Sequence, residues 1–227
     1  MENNSDGLFD SEPLSIAREE IRDRGVSFQR RFFGEEVQRD ATPGDESIID
    51  ELDFGIIRSR DGLETEEKAI IGLAVSSCLQ RLQSIPDLTR AALNVGLSAR
   101  SVLEIFLQTS IYAGFVTAES SSRCAKTVFE EHGIEIDEDT LPVEDMATMK
   151  RHAEELYSRL LRGTPQVPET IFASKLYPSV VAYTYGICYR RPGLTERQRM
   201  IILVACMTAI GGMDDALPSA FICAMNA

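Results

Sequence analysis

Histidine is nearly missing from these 227 residues: only His132 and His152 occur, and no HxxxH pair exists. The five cysteines (Cys78, Cys124, Cys188, Cys206, Cys223) are odd in number and contain no CxxC pair. Without paired histidines or cysteines at ligand spacing, a transition-metal site and a thiol-peroxidase site are both disfavoured. Basic residues are also scarce, 23 Lys and Arg against 36 Asp and Glu, for a net charge of −13. Nucleic acid and anionic membranes need clustered cations, so neither is an expected partner. No apolar run reaches the roughly 18 residues of a membrane span, and the first residues, MENNSDGLFDSEP, lack the basic and apolar regions of a secretory signal. A cytoplasmic location with reduced, largely buried thiols is the expectation. Alternating strand patterns between tight-turn pairs are absent as well, so the fold class expected is all-α.

What is present is a repeat. Phe54-Gly55-Ile56-Ile57 followed by Asp61-Gly62-Leu63 recurs as Tyr185-Gly186-Ile187-Cys188 followed by Pro192-Gly193-Leu194, a constant 131 positions on. Each copy leads through a charged triplet, Glu66-Glu67-Lys68 or Arg197-Gln198-Arg199, into an apolar run beginning at Ala69 or Met200. With one residue inserted, Pro86 and Ala92-Leu93-Asn94 match Pro218 and Ala224-Met225-Asn226. A repeat of this size indicates two copies of one helical unit. The organisation expected is a disordered tail over residues 1–10, a first copy over 11–133, an acidic linker over 134–145 and a shorter second copy over 146–227.

Helical spacing and capping residues mark the elements within each copy. Ser11 is a candidate cap for a helix ending before Gly34, with a kink at Gly25. Asp45 starts a helix to about Arg58, and Thr65 starts one to about Leu82. Pro86 and Gly96 frame a short helix, Ser98 opens the next, and another runs from about Val116 to His132-Gly133. In the second copy, helices are expected from Met149 to Leu161 and over residues 196–211. The helices from Thr65 and from residue 196 are apolar nearly all round, as helices surrounded by others are. Because the second copy lacks the last two helices of the first, its central helix needs an outside cover. Either the region from Ile16 to Phe33 or a second subunit is expected to supply it.

The stretch from Phe54 to Gly133 resembles the carboxymuconolactone decarboxylase family, which includes the AhpD-like alkylhydroperoxidases. The resemblance rests on the aromatic-Gly pair, the loop around Gly62-Leu63, ALNVG at 92–96, Ser98, and EIFLQTSIYAGF at 104–115. RRPGLTERQR at 190–199 gives a second match. It implies an AhpD-like orthogonal helical bundle that assembles as a homo-oligomer and acts on a small molecule without a cofactor. The family's decarboxylases carry a histidine eight residues before the glycine of the ALNxG turn. That position is Leu88 here, and Ala220 in the second copy. The peroxidase branch's cysteine pair falls on Arg81 and Ser84, and its relay glutamate near Ala69.

Candidate chemistry therefore has to come from other residues. Glu104 lies within Val102-Leu103-Glu104-Ile105-Phe106-Leu107, and an apolar setting pushes a carboxyl toward the range useful for acid–base work. Gln108 and Tyr112 follow one and two turns later on the same face. Such a row suits a pocket with Glu104 and Tyr112 as catalytic groups and Gln108 binding substrate. It equally suits a surface acid and a packing phenol. Arg60, beside the repeated loop, is a candidate for bidentate contact with a substrate carboxylate. Arg58, Arg190 and Arg191 flank the same loop. Cys78 and Leu88 would border the same pocket, although Cys78 reads equally as a small core residue. His132, at a helix end, reads as a capping residue, and His152 as a helix-surface one.

Two functions follow. One is a cofactor-free lyase or isomerase, of decarboxylase or cyclase type, acting in secondary metabolism on a small organic acid, lactone or polyketide-like molecule. The other is a non-catalytic helical scaffold or ligand-binding protein that has lost the family's active site.

Overall fold

The computed structural model of the protein describes residues 15–34, 42–136, 144–163, 173–211 and 216–227. The expected tail over residues 1–10, the cap Ser11 and most of the linker over 134–145 lie outside the described residues. Every regular element among them is helical. The chain divides into two compact units, Met1–Lys68 and Ala69–Ala227.

The first unit is a helical pair. Helix α1 (Arg18–Phe33) ends at Gly34, whose φ of 81° lies in the left-handed region that suits glycine. Its partner begins as α2 (Asp45–Ile48) and continues as a π-helical segment, Ile49–Arg58, so the expected helix over 45–58 is wound more widely in its second part. The helices touch through glycines. A Cβ on Gly55 would sit 2.3 Å from the Ile21 carbonyl oxygen, and one on Gly25 would sit 1.9 Å from that of Asp50. Gly25, where a kink was expected, is a contact point within a continuous helix. Phe28, Phe32, Phe33 and Phe54 close the pair, with Phe28 stacked on Phe32 at 5.6 Å and Phe54 edge-on to Phe33 at 6.1 Å.

Helix α3 (Thr65–Cys78) begins in the last residues of the first unit and runs into the second. It stops before the expected Leu82, because Gln80 takes a left-handed φ of 54°. The second unit continues with α4 (Ile85–Asn94), α5 (Ala99–Ala113), α6 (Phe115–Glu131), α7 (Met146–Leu161), α8 (Ala173–Gly186), α9 (Glu196–Ile210) and α10 (Leu217–Asn226). Helix α5 packs on α6 and α9, α7 on α8, and α10 on both α9 and α7. Gly186 repeats the role of Gly55: a Cβ there would lie 2.5 Å from the Met149 carbonyl oxygen.

Helix α9 and its neighbours bury Leu160, Met200, Leu203, Ala220 and Cys223 in one cluster. Each fully buried large aliphatic side chain stabilises by about 1.5–3 kcal/mol. Within this unit α9 packs on α5 and on α10, a pairing that the expectation of an outside cover did not include. The sequence missed this because only the long-range pairing of α5 with α9 reveals it. On its other side α5 joins α3 and α6 through a buried hydroxyl chain, with Ser77 Oγ 3.1 Å from Thr109 Oγ1 and 2.8 Å from Ser121 Oγ. No helix among the described residues is long and apolar enough to cross a membrane.

Candidate functional site

Ser98 caps α5, its hydroxyl accepting from the Ser101 amide at 3.0 Å. From that start, Glu104, Gln108 and Tyr112 fall on one face at intervals of four, turned toward α9 and the residues just before it. The Glu104 carboxylate is only 2% exposed, yet its surroundings are ionic. It accepts from Arg191 Nε at 2.8 Å, from Arg199 Nη2 at 2.9 Å and from Arg100 Nε at 3.0 Å. The apolar setting expected for an acid–base group is therefore replaced by three guanidiniums that hydrogen-bond the carboxylate.

Arg199, fully buried at the start of α9, is the hub. Its Nη2 also donates to the Arg191 carbonyl at 2.9 Å and its Nη1 to Gln108 Oε1 at 3.3 Å. Its Nε has no hydrogen-bond partner among the described residues. Gln108 returns the contact by donating from Nε2 to the Arg199 carbonyl at 2.7 Å. The Tyr112 and Tyr189 hydroxyls are 2.5 Å apart. Burial pushes both phenols well above their ordinary ionisation range, so both stay protonated.

The loop before α9 is pressed onto α5. Gly193 has a φ of 99°, and its carbonyl accepts from Ser101 Oγ at 2.6 Å. On the outer side of this clamp lies an apolar groove of about 420 Å³. Leu107, Ser110, Ile111 and Phe115 form one wall and Val180, Tyr183, Thr184 and Ile187 the other, with Cys188 and Arg191 at the end. Arg191 thus belongs to both features, fixed by Glu104 and bordering the groove. Burial, the larger cause, and the nearby Glu104 carboxylate raise the Cys188 thiol to about 11 against opposition from Arg199 and Arg191. It is an S–H group at neutral pH.

The other candidates lie apart from this groove. Leu88 packs against α3, one of its methyls 3.1 Å from where a Cβ on Gly72 would stand. Cys78, the last residue of α3, is half-buried, and the influence of the Cys206 thiol lowers its ionisation range. Arg60 belongs to the first unit, is exposed, and accepts from Lys68 Nζ through its carbonyl at 2.8 Å. His132 Nδ1 lies 2.9 Å from the Val128 carbonyl at the end of α6, the geometry of a helix cap. His152 Nδ1 lies 3.1 Å from Glu144 Oε2 on the far side of Tyr189, beside Arg190. Among the described residues, no three His, Cys, Asp or Glu side chains converge on a metal position. Sequence reasoning placed the Glu104 row but missed its partners Arg199 and Tyr189. The available signal was the repeat, since Arg199 stands at the position of Lys68 immediately before the apolar run.

Residues 47–127, from the helix at Asp45 through most of α6, match the carboxymuconolactone decarboxylase family. The likeness to the family is carried by that segment of the chain. A 4-carboxymuconolactone decarboxylase from Acinetobacter baylyi (strain ADP1) is 28% identical over 89 residues. That match covers 39% of this chain and 66% of the relative's length. Within the family segment lie Glu104, Gln108, Tyr112 and one wall of the groove. Arg191, Arg199, Cys188 and the opposite wall lie beyond it, within residues 180–199.

Proposed function

We propose that this carboxymuconolactone decarboxylase-like protein is a cofactor-free lyase or isomerase for a small organic acid or lactone, with the groove between α5 and α8 as its substrate site. The observation that carries this reading is Arg191, a guanidinium fixed in place by a buried carboxylate at the end of an apolar cleft. A groove of a few hundred Å³ with apolar walls and a few converging polar groups suits a small ligand. Arg191 offers an anionic group a charge-assisted contact. For a carboxylated lactone, the bond to the carboxylate carbon breaks and carbon dioxide leaves. The electron pair passes into the conjugated carbonyl, and a proton returns to carbon. Cys188 is the proton donor in this scheme, its burial keeping the thiol protonated, and the resulting thiolate regains its proton from water. Glu104 and Gln108 act as positioning residues that fix Arg191 and Arg199. Tyr112 holds the Tyr189 side.

Turnover of 4-carboxymuconolactone and related carboxylated lactones, followed by carbon dioxide release, tests the reading. Arg191→Met should raise KM at least tenfold, and Cys188→Ser should lower kcat with KM little changed. Unchanged kinetics in both variants would remove the groove as the site. A second reading, ligand binding or scaffolding without catalysis, draws support from Leu88 and Ala220 at the family's histidine positions. Phe115 and Val116, exposed at 76% and 77% by the groove, favour a homo-oligomer contact at its rim. Ligand binding without turnover, or a groove closed in a dimer seen by light scattering, would select these instead.

A further inference from the structure

The turn Cys188–Arg190 borders two separate cavities of the second unit. Cys188 and the following Arg191 line the groove, whereas Tyr189 and Arg190 line a second concavity of about 500 Å³, and the two share no lining residue. Helix α7 forms the facing wall of the second one. It presents His152, Glu155, Leu156 and Arg159, whose intervals of three and four put them on one face. Glu196, in the first turn of α9, closes the end by accepting from both terminal nitrogens of Arg159 on its two oxygens. The lining is therefore charge-balanced, with the guanidiniums of Arg159 and Arg190 against the carboxylates of Glu155 and Glu196. A concavity of this size suits a small molecule.

Its polar groups are not all spent. Both Glu144 oxygens (3.3 and 3.0 Å), the Gly186 carbonyl (3.1 Å) and His152 Nδ1 gather on a single nitrogen of Arg190, Nη1. They anchor the guanidinium and leave its Nε and Nη2 without a hydrogen bond among the described residues. Those two donors form one edge of the group, a fork that takes a carboxylate bidentately. On α7, the contact of Glu155 with Arg151 is long, 3.5 Å, and both side chains are more than half exposed. Such a pair is weakly held, so the Glu155 carboxylate is open to another cation. Leu156 and the Tyr189 ring add apolar surface, the Tyr189 hydroxyl being committed to Tyr112. We propose that this concavity is a second ligand site that binds an amino-acid zwitterion, with its carboxylate on the Nε–Nη2 edge of Arg190, its ammonium on Glu155 and its side chain on Leu156 and Tyr189. Charge balance selects the zwitterion. A bare anion would meet Glu144, Glu155 and Glu196, and a bare amine would meet Arg151, Arg159 and Arg190. The groove residues Cys188 and Arg191 take no part.

The test is a nuclear magnetic resonance titration of the full chain with L-leucine, N-acetyl-L-leucine and L-leucinamide, which carry both charges, only the negative one and only the positive one. Leucine should shift His152, Leu156 and Tyr189 while Leu107 and Val180 of the groove stay in place. Removing either charge from the probe should weaken binding by about tenfold or more. Arg190→Gln should abolish leucine binding, and Arg191→Met should leave it unchanged. The comparison of the three probes on the unaltered chain stands even if a variant misfolds. N-acetyl-leucine bound as well as leucine would make the concavity an anion site, and leucinamide bound as well would make it a cation site. Either result overturns the proposal, as do shifts in the groove instead or no binding at tens of millimolar leucine.

Discussion

Residues 60–68 and 191–199 form two turns of matching sequence pattern, and they share a glycine conformation and a hydrogen-bond pattern. Gly62 and Gly193 have φ values of 100° and 99°. Glu67 accepts from the Glu64 amide at 3.0 Å, as Gln198 accepts from Thr195 at 2.9 Å. Lys68 Nζ donates to the Arg60 carbonyl at 2.8 Å, as Arg199 Nη2 donates to that of Arg191 at 2.9 Å. The copies part at the remaining donors. Lys68 has a single ammonium, which lies over the Phe28 ring at 5.4 Å. Arg199 has a fork, and it carries the same turn contact while also reaching Glu104 and Gln108. One turn thus serves as a simple helix start in the first copy. In the second it becomes the clamp that places Arg191 at the groove, because a guanidinium bonds several acceptors at once and an ammonium does not.

Substitution at the hub should separate the copies most. Arg199→Ala leaves the Glu104 carboxylate buried with fewer partners and should cost about 3–5 kcal/mol. Lys68→Ala removes a partly exposed cation and should cost under about 1 kcal/mol. Chemical denaturation of both variants measures the contrast, and equal losses would break it.

The glycines give a finer version of the comparison. An alanine at either position strains a left-handed backbone by about 1–3 kcal/mol. At Gly62 its Cβ meets nothing, whereas at Gly193 it meets Arg100 Cγ at 3.2 Å and Glu104 Cγ at 3.3 Å. Gly193→Ala should therefore be the more damaging by roughly 1 kcal/mol, read from the same denaturation curves.

The pH dependence of stability should carry the mark of Cys188. Its folded value of about 11 lies above the 9.0 of an unfolded thiol. Below pH 9 both states hold the proton and this contribution is complete. Between pH 9 and 11 the unfolded chain loses the proton first, so stability falls by on the order of 2 kcal/mol. Cys188→Ala should flatten that part of the alkaline profile; an unchanged slope would place the thiol in a wetter setting.

Much of the scaffold was legible in the sequence. Ser98, Pro86 and the spacing from Asp45 to Arg58 located helices closely, because caps and periodicity act within a few residues. The row of Glu104, Gln108 and Tyr112 was legible for the same reason. Its chemistry was not, since the three guanidiniums around Glu104 come from its own helix and from residues 87 and 95 positions away. Leu88 was chosen from the family's histidine position and Arg60 from the repeated loop, and the structure places one against α3 and the other in the first unit. The packing of α9 on α5 was hidden because the pairing is long-range.

Binding of an organic anion beside Arg191 can be read directly by nuclear magnetic resonance titration of the whole protein with benzoate and, separately, its neutral amide. The account predicts that benzoate binds at least tenfold more tightly, with shifts confined to Leu107, Val180, Ile187 and their neighbours, and that Arg191→Met abolishes the difference. Equal binding of acid and amide, or shifts away from the groove, would contradict it.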